Sequence, residues 1–190
     1  MKTIKDRHVL VAADFAGFPL KEAVVRHLKE RGWNVTDIGV RSGDPDNSEM
    51  FHRIGFRAGA KISEGEFERA LIFCGTGMGI HIAASKCPHV HSAVAESVPA
   101  ALRCVTANNC NVLAMGAFYI APRTGMAMAD AFLEHGLGDG YEGWEGFYEY
   151  HKLGYDEIES FDYEAFKANG FQAAISGEAE LGPEPEGLCY

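Results

Sequence analysis

His8-Val9-Leu10-Val11-Ala12-Ala13 is an almost unbroken apolar run, and Asp14 follows it. A strand with one wet face alternates polar and apolar residues, whereas an unbroken run of this length marks a strand covered on both faces, as in a parallel sheet. The next segment has helical signals. Pro19 suits a first helical turn, Leu20, Ala23, Val24 and Leu28 fall on one face, and Gly32 can supply a left-handed C-terminal cap.

The same unit recurs along the chain. Further strands are expected at 35–38, Ala70–Cys74, 92–95 and 111–115. Helices are expected at 48–62, 79–86, 97–107 with Ser97 as N-cap, and 122–135 before Gly136. Strict alternation over residues 8–136 predicts an α/β fold: a doubly wound, five-stranded parallel sheet, Rossmann-like, with helices on both faces. Residues 1–140 form this domain in the reading, in line with a chain of 190 residues and a prior of roughly 150 per domain. Residues 141–171 then carry ten of the 21 aromatic side chains, interleaved with Glu, Asp and Gly. An aromatic-rich extension, 141–175, is expected to pack on its own domain or on a second subunit. The last stretch, 176–190, holds Glu178, Glu180, Glu184, Glu186, Pro183 and Pro185 and reads as a mobile acidic tail.

Composition narrows the function classes. With 17 Lys+Arg against 27 Asp+Glu, the net charge of −10 repels nucleic-acid backbones and anionic membrane surfaces, so no nucleic acid and no membrane is expected as partner. No apolar run approaches the roughly 18 residues of a membrane helix, and the polar start lacks a signal-peptide core, so a cytoplasmic location is expected. The cysteines (Cys74, Cys87, Cys104, Cys110, Cys189) are odd in number and unpaired in spacing, which fits reduced thiols. His89 and His91 near Cys87 lack structural-zinc spacing, and no metal is expected.

In an open parallel sheet the ligand crevice lies at the carboxyl ends of the strands where the winding reverses, commonly between the first and third. Asp14 and Cys74 stand at those ends, and Gly75-Thr76-Gly77-Met78-Gly79 follows Cys74. Its glycines let successive amides converge on an anion at a helix amino terminus. The spacing matches neither the dinucleotide fingerprint nor the P-loop, and nucleotide binding rests on fold analogy alone. A thiol beside a helix amino terminus has its thiolate favoured and can act as a base near neutral pH. On residues alone, a tight packing turn and a buried structural cysteine remain alternatives.

Cys74-Gly75-Thr76-Gly77-Met78-Gly79-Ile80-His81-Ile82-Ala83-Ala84-Ser85-Lys86 resembles the signature loop of type B ribose-5-phosphate isomerases and galactose-6-phosphate isomerase subunits. Ala13-Asp14-Phe15-Ala16-Gly17-Phe18, Asn108 with Asn111-Val112-Leu113-Ala114-Met115-Gly116, and Tyr141-Glu142-Gly143 resemble that family's other motifs, in order and at its spacing. The resemblance implies an aldose–ketose isomerase that works through an enediolate without a cofactor. It implies Cys74 as proton-transfer base, Thr76 as its hydrogen-bonding neighbour, and the amides of 75–79 (Gly75, Gly77, Met78, Gly79) as the anion hole. Asp14 and Asn108 match positions that bind substrate hydroxyls. Homodimers with active sites built from both subunits are implied too.

The sequence also departs from the pattern. Phe15 stands where the family has a histidine after Asp14, and Ala107 where a ring-opening histidine precedes Asn108. His81, on the first turn after the loop, is a candidate substitute, although a surface histidine at a helix start is commonplace. The family's phosphate arginines are replaced by Phe118 and by the stretch from Trp144 through Glu145 to Glu149, leaving Arg41, Arg53, Arg103 and Arg123 as available cations. The expected partner is therefore a small-molecule sugar or sugar phosphate not held by the usual phosphate arginines, with an unphosphorylated sugar, a short ketose or a sugar acid expected ahead of the usual substrate. The competing reading is a sugar-binding protein or inactive partner subunit of the same fold.

Overall fold

The computed structural model describes residues 4–42, 46 and 49–186. It shows a parallel sheet of β1 (His8–Ala13), β2 (Asn34–Asp37), β3 (Ala70–Cys74), β4 (Ser92–Val94) and β5 (Val112–Gly116), in the order β2-β1-β3-β5-β4. Five helices accompany the strands: α1 (Phe18–Glu30), α2 (Phe51–Ser63), α3 (Met78–Ala84), α4 (Val98–Thr106) and α5 (Pro122–Leu133). The expected start of the second helix, Ser48, lies outside the described residues; Met50 precedes its first turn. The helix read as 79–86 starts one residue earlier and ends at Ala84.

Alternation within each buried strand divides the core in two. Val9, Val11, Leu71, Phe73, Leu113 and Met115 face one layer; Leu10, Ala12, Ile72, Cys74, Val112 and Ala114 face the other. The moves β1→β2 and β4→β5 run in one direction along the sheet, and β2→β3 and β3→β4 in the opposite one. Right-handed crossovers place the helices of opposite moves on opposite faces. Accordingly α5 packs on α1 and α4, while α2 packs on α3. Cys74 belongs to the layer under α2 and α3, with Ile54 and Ile80.

Beyond β5 and α5 the chain adds α6 (Phe147–Glu159) and α7 (Tyr163–Ala168). Phe147 is buried with Ala107 and Tyr141 and stacks on Tyr141 at 4.2 Å, while the Arg103 guanidinium lies over both rings. Burying one such ring is worth about 1.5–3 kcal/mol, enough to dock the helix on the end of α4. Further along α6, Glu159 accepts from His91 and His89, and the Tyr155 ring lies 4.8 Å from His91. The extension thus covers the amino edge of the sheet, where β4 and β5 begin. The stretch read as a mobile tail is tied back: the Ser176 amide and hydroxyl donate to Glu157 Oε1 at 2.9 and 3.0 Å, Trp144 Nε1 donates to the Gly182 carbonyl at 2.6 Å, and the Gly182 amide to that of Glu145 at 3.0 Å. Residues 187–190, with Cys189, lie outside the described residues.

Candidate active site

The carboxyl ends of β1, β3 and β5 meet through their loops. Parallel register puts Ala13 beside Phe73 and Cys74 beside Gly116. The Asp14 amide donates to the Phe73 carbonyl at 3.2 Å, and the amides of Ala117 and Phe118 donate to the carbonyls of Cys74 and Gly75 at 3.0 and 2.9 Å. The glycine loop is therefore pinned on both sides by the turns that follow the neighbouring strands.

Within it, Gly77 takes φ +77°, a left-handed conformation that glycine adopts without steric penalty, and precedes the first turn of α3. That turn aims the Gly77 amide at Cys74 Sγ, 3.1 Å away. Thr76 Oγ1 accepts from the Met78 amide at 3.3 Å. Cys74 is only 4% exposed, so its sulfur is shielded from bulk water. The Phe118 ring lies directly against Gly75, where a Cβ would come within 2.5 Å of it, and Phe51 covers Gly79 in the same way. Phe51 and Phe118 thus flank the loop with partly exposed rings, and Phe15, next to Asp14, is exposed as well.

Asp14 is half-buried and its Oδ1 accepts from the Gly17 amide at 2.8 Å. Burial pushes its carboxyl above the usual carboxylate range, with the amides of Gly17 and Ala16 pulling the other way. Asp14, Phe15, Cys74, Gly75, Thr76, Gly77, Met78 and Gly79 are thus gathered at one edge of the sheet. His81 and Asn108 are not among them. Burial lowers the His81 pKa, and its Nδ1 pairs with Ser92 Oγ at 2.9 Å. Ser92 opens β4 level with Val112, four residues before Gly116, or about 13 Å along the strand. Asn108 is exposed just after α4, at the same amino edge. Arg53 and Arg123, in the first turns of α2 and α5, are exposed at the loop's edge, whereas Arg103 lies over the Tyr141 and Phe147 rings. Among the described residues no three His, Cys, Asp or Glu side chains stand together as metal ligands, and no helix is long and apolar enough to cross a membrane.

Sequence reasoning missed two features: Phe51 over Gly79, which arrives from a distant helix, and His151 of α6, beside Asn108. The only sequence signal for His151 was its place four residues after Phe147 in the aromatic stretch.

A two-way-wound parallel sheet with a cysteine and a glycine loop at its carboxyl edge defines a class, the Rossmann-like sugar isomerases, and comparison with known proteins agrees. The model of the Ribose/Galactose Isomerase family matches residues 9–143, and the chain belongs to that family. It is 42% identical over 136 residues to the 4-deoxy-4-sulfo-D-erythrose isomerase of a Clostridium species, covering 72% of this chain and 84% of that one. It is 35% identical over 132 residues to the D-erythrulose-4-phosphate isomerase 2 of Mycolicibacterium smegmatis, covering 68% and 83%. Among solved structures, ribose-5-phosphate isomerase B of Mycoplasma genitalium with bound ribulose-5-phosphate superposes with a TM-score of 0.71 at 25% identity, over 83% of this chain and 96% of that one. The protein is an aldose–ketose isomerase in its general class.

Proposed function

We propose that this isomerase acts on a short sugar derivative that exists as an open chain, with Cys74 Sγ carrying the proton between the two carbons. The observation that carries this reading is the Gly77 amide aimed at a shielded Cys74 Sγ, at the same edge of the sheet as the half-buried Asp14 carboxyl. A proton on a hydroxy-carbonyl carbon is weakly acidic, so preorganised amide donors that meet the enediolate oxygen supply the larger share of catalysis. In the reading, amides of 75–79 hold that oxygen, Thr76 stays beside the sulfur, and Asp14 takes a substrate hydroxyl. The functional unit is a homodimer, because Cys74 and Asn108 stand at opposite edges of one chain and only a second copy brings an Asn108 to the loop.

The substrate class follows from what is missing. An aldopentose phosphate such as D-ribose 5-phosphate closes into a ring through its C4 hydroxyl, and an acid–base pair must open it before the carbonyl reacts. Phe15 and Ala107 supply no such pair. A tetrose substituted at C4 has no hydroxyl left for ring closure, and the two curated relatives above are named for substrates of that kind. Arg53 and Arg123 at the loop's edge are the cations placed to meet an anionic C4 group. The solved relative with ribulose-5-phosphate supports a sugar phosphate as ligand.

Proton NMR in heavy water tests this. D-Erythrulose 4-phosphate should gain deuterium beside its carbonyl and convert to the aldose, with kcat/KM well above that for D-ribose 5-phosphate. Turnover of the pentose at an equal or higher kcat/KM contradicts the open-chain reading.

A further inference from the structure

Moving a carbonyl between neighbouring carbons shifts two kinds of proton. One leaves and rejoins carbon, which is the work assigned to Cys74. The other must pass from the oxygen that becomes the carbonyl to the oxygen that ceases to be one. At the edge that holds Cys74, His81 is committed through Nδ1 to Ser92, and the His52 ring, in the first turn of α2, packs edge-on against Phe51 and Phe56.

A cavity of about 580 Å³ at the amino edge contains Asn108, and His151 and His91 line it with Ser92, Ala107 and Tyr150. His91 is bonded to Glu159. His151 is held differently. Its ring packs on buried Phe147 at 4.1 Å, and Nδ1 faces the Phe147 carbonyl at 2.8 Å. A carbonyl can only accept, so in the neutral ring Nδ1 carries the hydrogen and Nε2 keeps its lone pair. Ala107 is itself buried against Phe147, so the small side chain at 107 leaves room for the ring on which His151 rests.

We propose that His151 is the oxygen-side proton carrier of the reaction. This inference rests on the isomerase reading above, in which one chain's Asn108 cavity completes the other chain's Cys74 loop. For a ketose, Cys74 sulfur takes the C1 proton, the C1–H pair becomes the C1=C2 bond, and the carbonyl pair moves onto O2. Nε2 then accepts the O1 proton and returns it to O2. The O1 pair forms the new C1=O bond while C2 takes the proton back from sulfur. Atoms and charge balance without an outside reagent.

The test uses the full chain, D-erythrulose 4-phosphate and heavy water. In His151→Ala, isomerisation should fall by about 10²-fold or more. Deuterium should still enter the substrate, so the ratio of exchanged substrate to product rises, and added imidazole should restore part of the rate. His151→Gln, which keeps side-chain bulk, should show the same raised ratio. Isomerisation at the wild-type rate in His151→Ala overturns the proposal. So does an equal fall of exchange and isomerisation in both variants without imidazole rescue, which marks a structural role. Cys74→Ala separates the two readings: its loss of exchange leaves the isomerase reading standing whatever His151 does. Absence of exchange in the wild-type protein overturns both.

Discussion

Asp14 keeps its proton to a higher pH in the folded chain than in the unfolded one, because burial outweighs the two amides that stabilise its charge. Stability from this group is therefore full below the ordinary carboxylate value of 3.8 and is lost as pH rises through the raised folded value. Asp14→Asn keeps an acceptor for the Gly17 amide but has no proton to lose. The thermal midpoint of the variant minus that of the wild type should grow across this window and then level off. A difference independent of pH would contradict the assignment. Asp14, Cys74 and the glycines were readable because they directly follow or end continuous apolar runs, in an order the family resemblance matches. His81 was not readable in this way: spacing alone does not give its partner, Ser92 Oγ, which lies on β4.

At the scale of elements, the aromatic extension shows how composition can announce burial without naming the surface. Ten aromatic residues demand cover, yet ring packing is weakly directional, and it takes Ala107, Tyr141 and Arg103 to fix where Phe147 goes. The other end of α6 is held by charge. Hydrogen bonds from His91 and His89 keep the Glu159 carboxyl below its ordinary 4.5. That contribution is present above 4.5 and is lost as pH falls through the depressed value, so α6 should loosen on acidification. Hydrogen exchange over 147–159 should rise at low pH in the wild type, while Glu159→Gln should show fast exchange already near neutrality and little further change. An acid response equal in both proteins would place the switch elsewhere. The strand–helix alternation, in contrast, was legible almost to the residue, because strands covered on both faces leave a continuous apolar run.

For the whole molecule, the order β2-β1-β3-β5-β4 returns the last strand between its predecessors. Nothing in local patterning encodes that swap, since β4 and β5 read alike until their neighbours are known. The swap sets β5 beside β3, so the turn after Gly116 braces the cysteine loop and delivers Phe118 to Gly75. It also leaves Asn108 and Cys74 at opposite edges, which the sequence resemblance could list together but could not separate in space. The proposed two-chain site makes a prediction of its own. Cys74→Ala and Asn108→Ala chains, each impaired alone, should regain activity when refolded together, up to about a quarter of the wild-type rate with random pairing into two-fold dimers. No recovery on mixing would mean that each site is complete within one chain.

The most direct measurement follows deuterium from heavy water into D-erythrulose 4-phosphate, comparing wild type with Cys74→Ala at matched folded concentration. If Cys74 sulfur carries the carbon-bound proton, incorporation falls by about 10²–10⁴-fold while the ligand still binds. Incorporation at the wild-type rate in the variant would remove sulfur from the reaction.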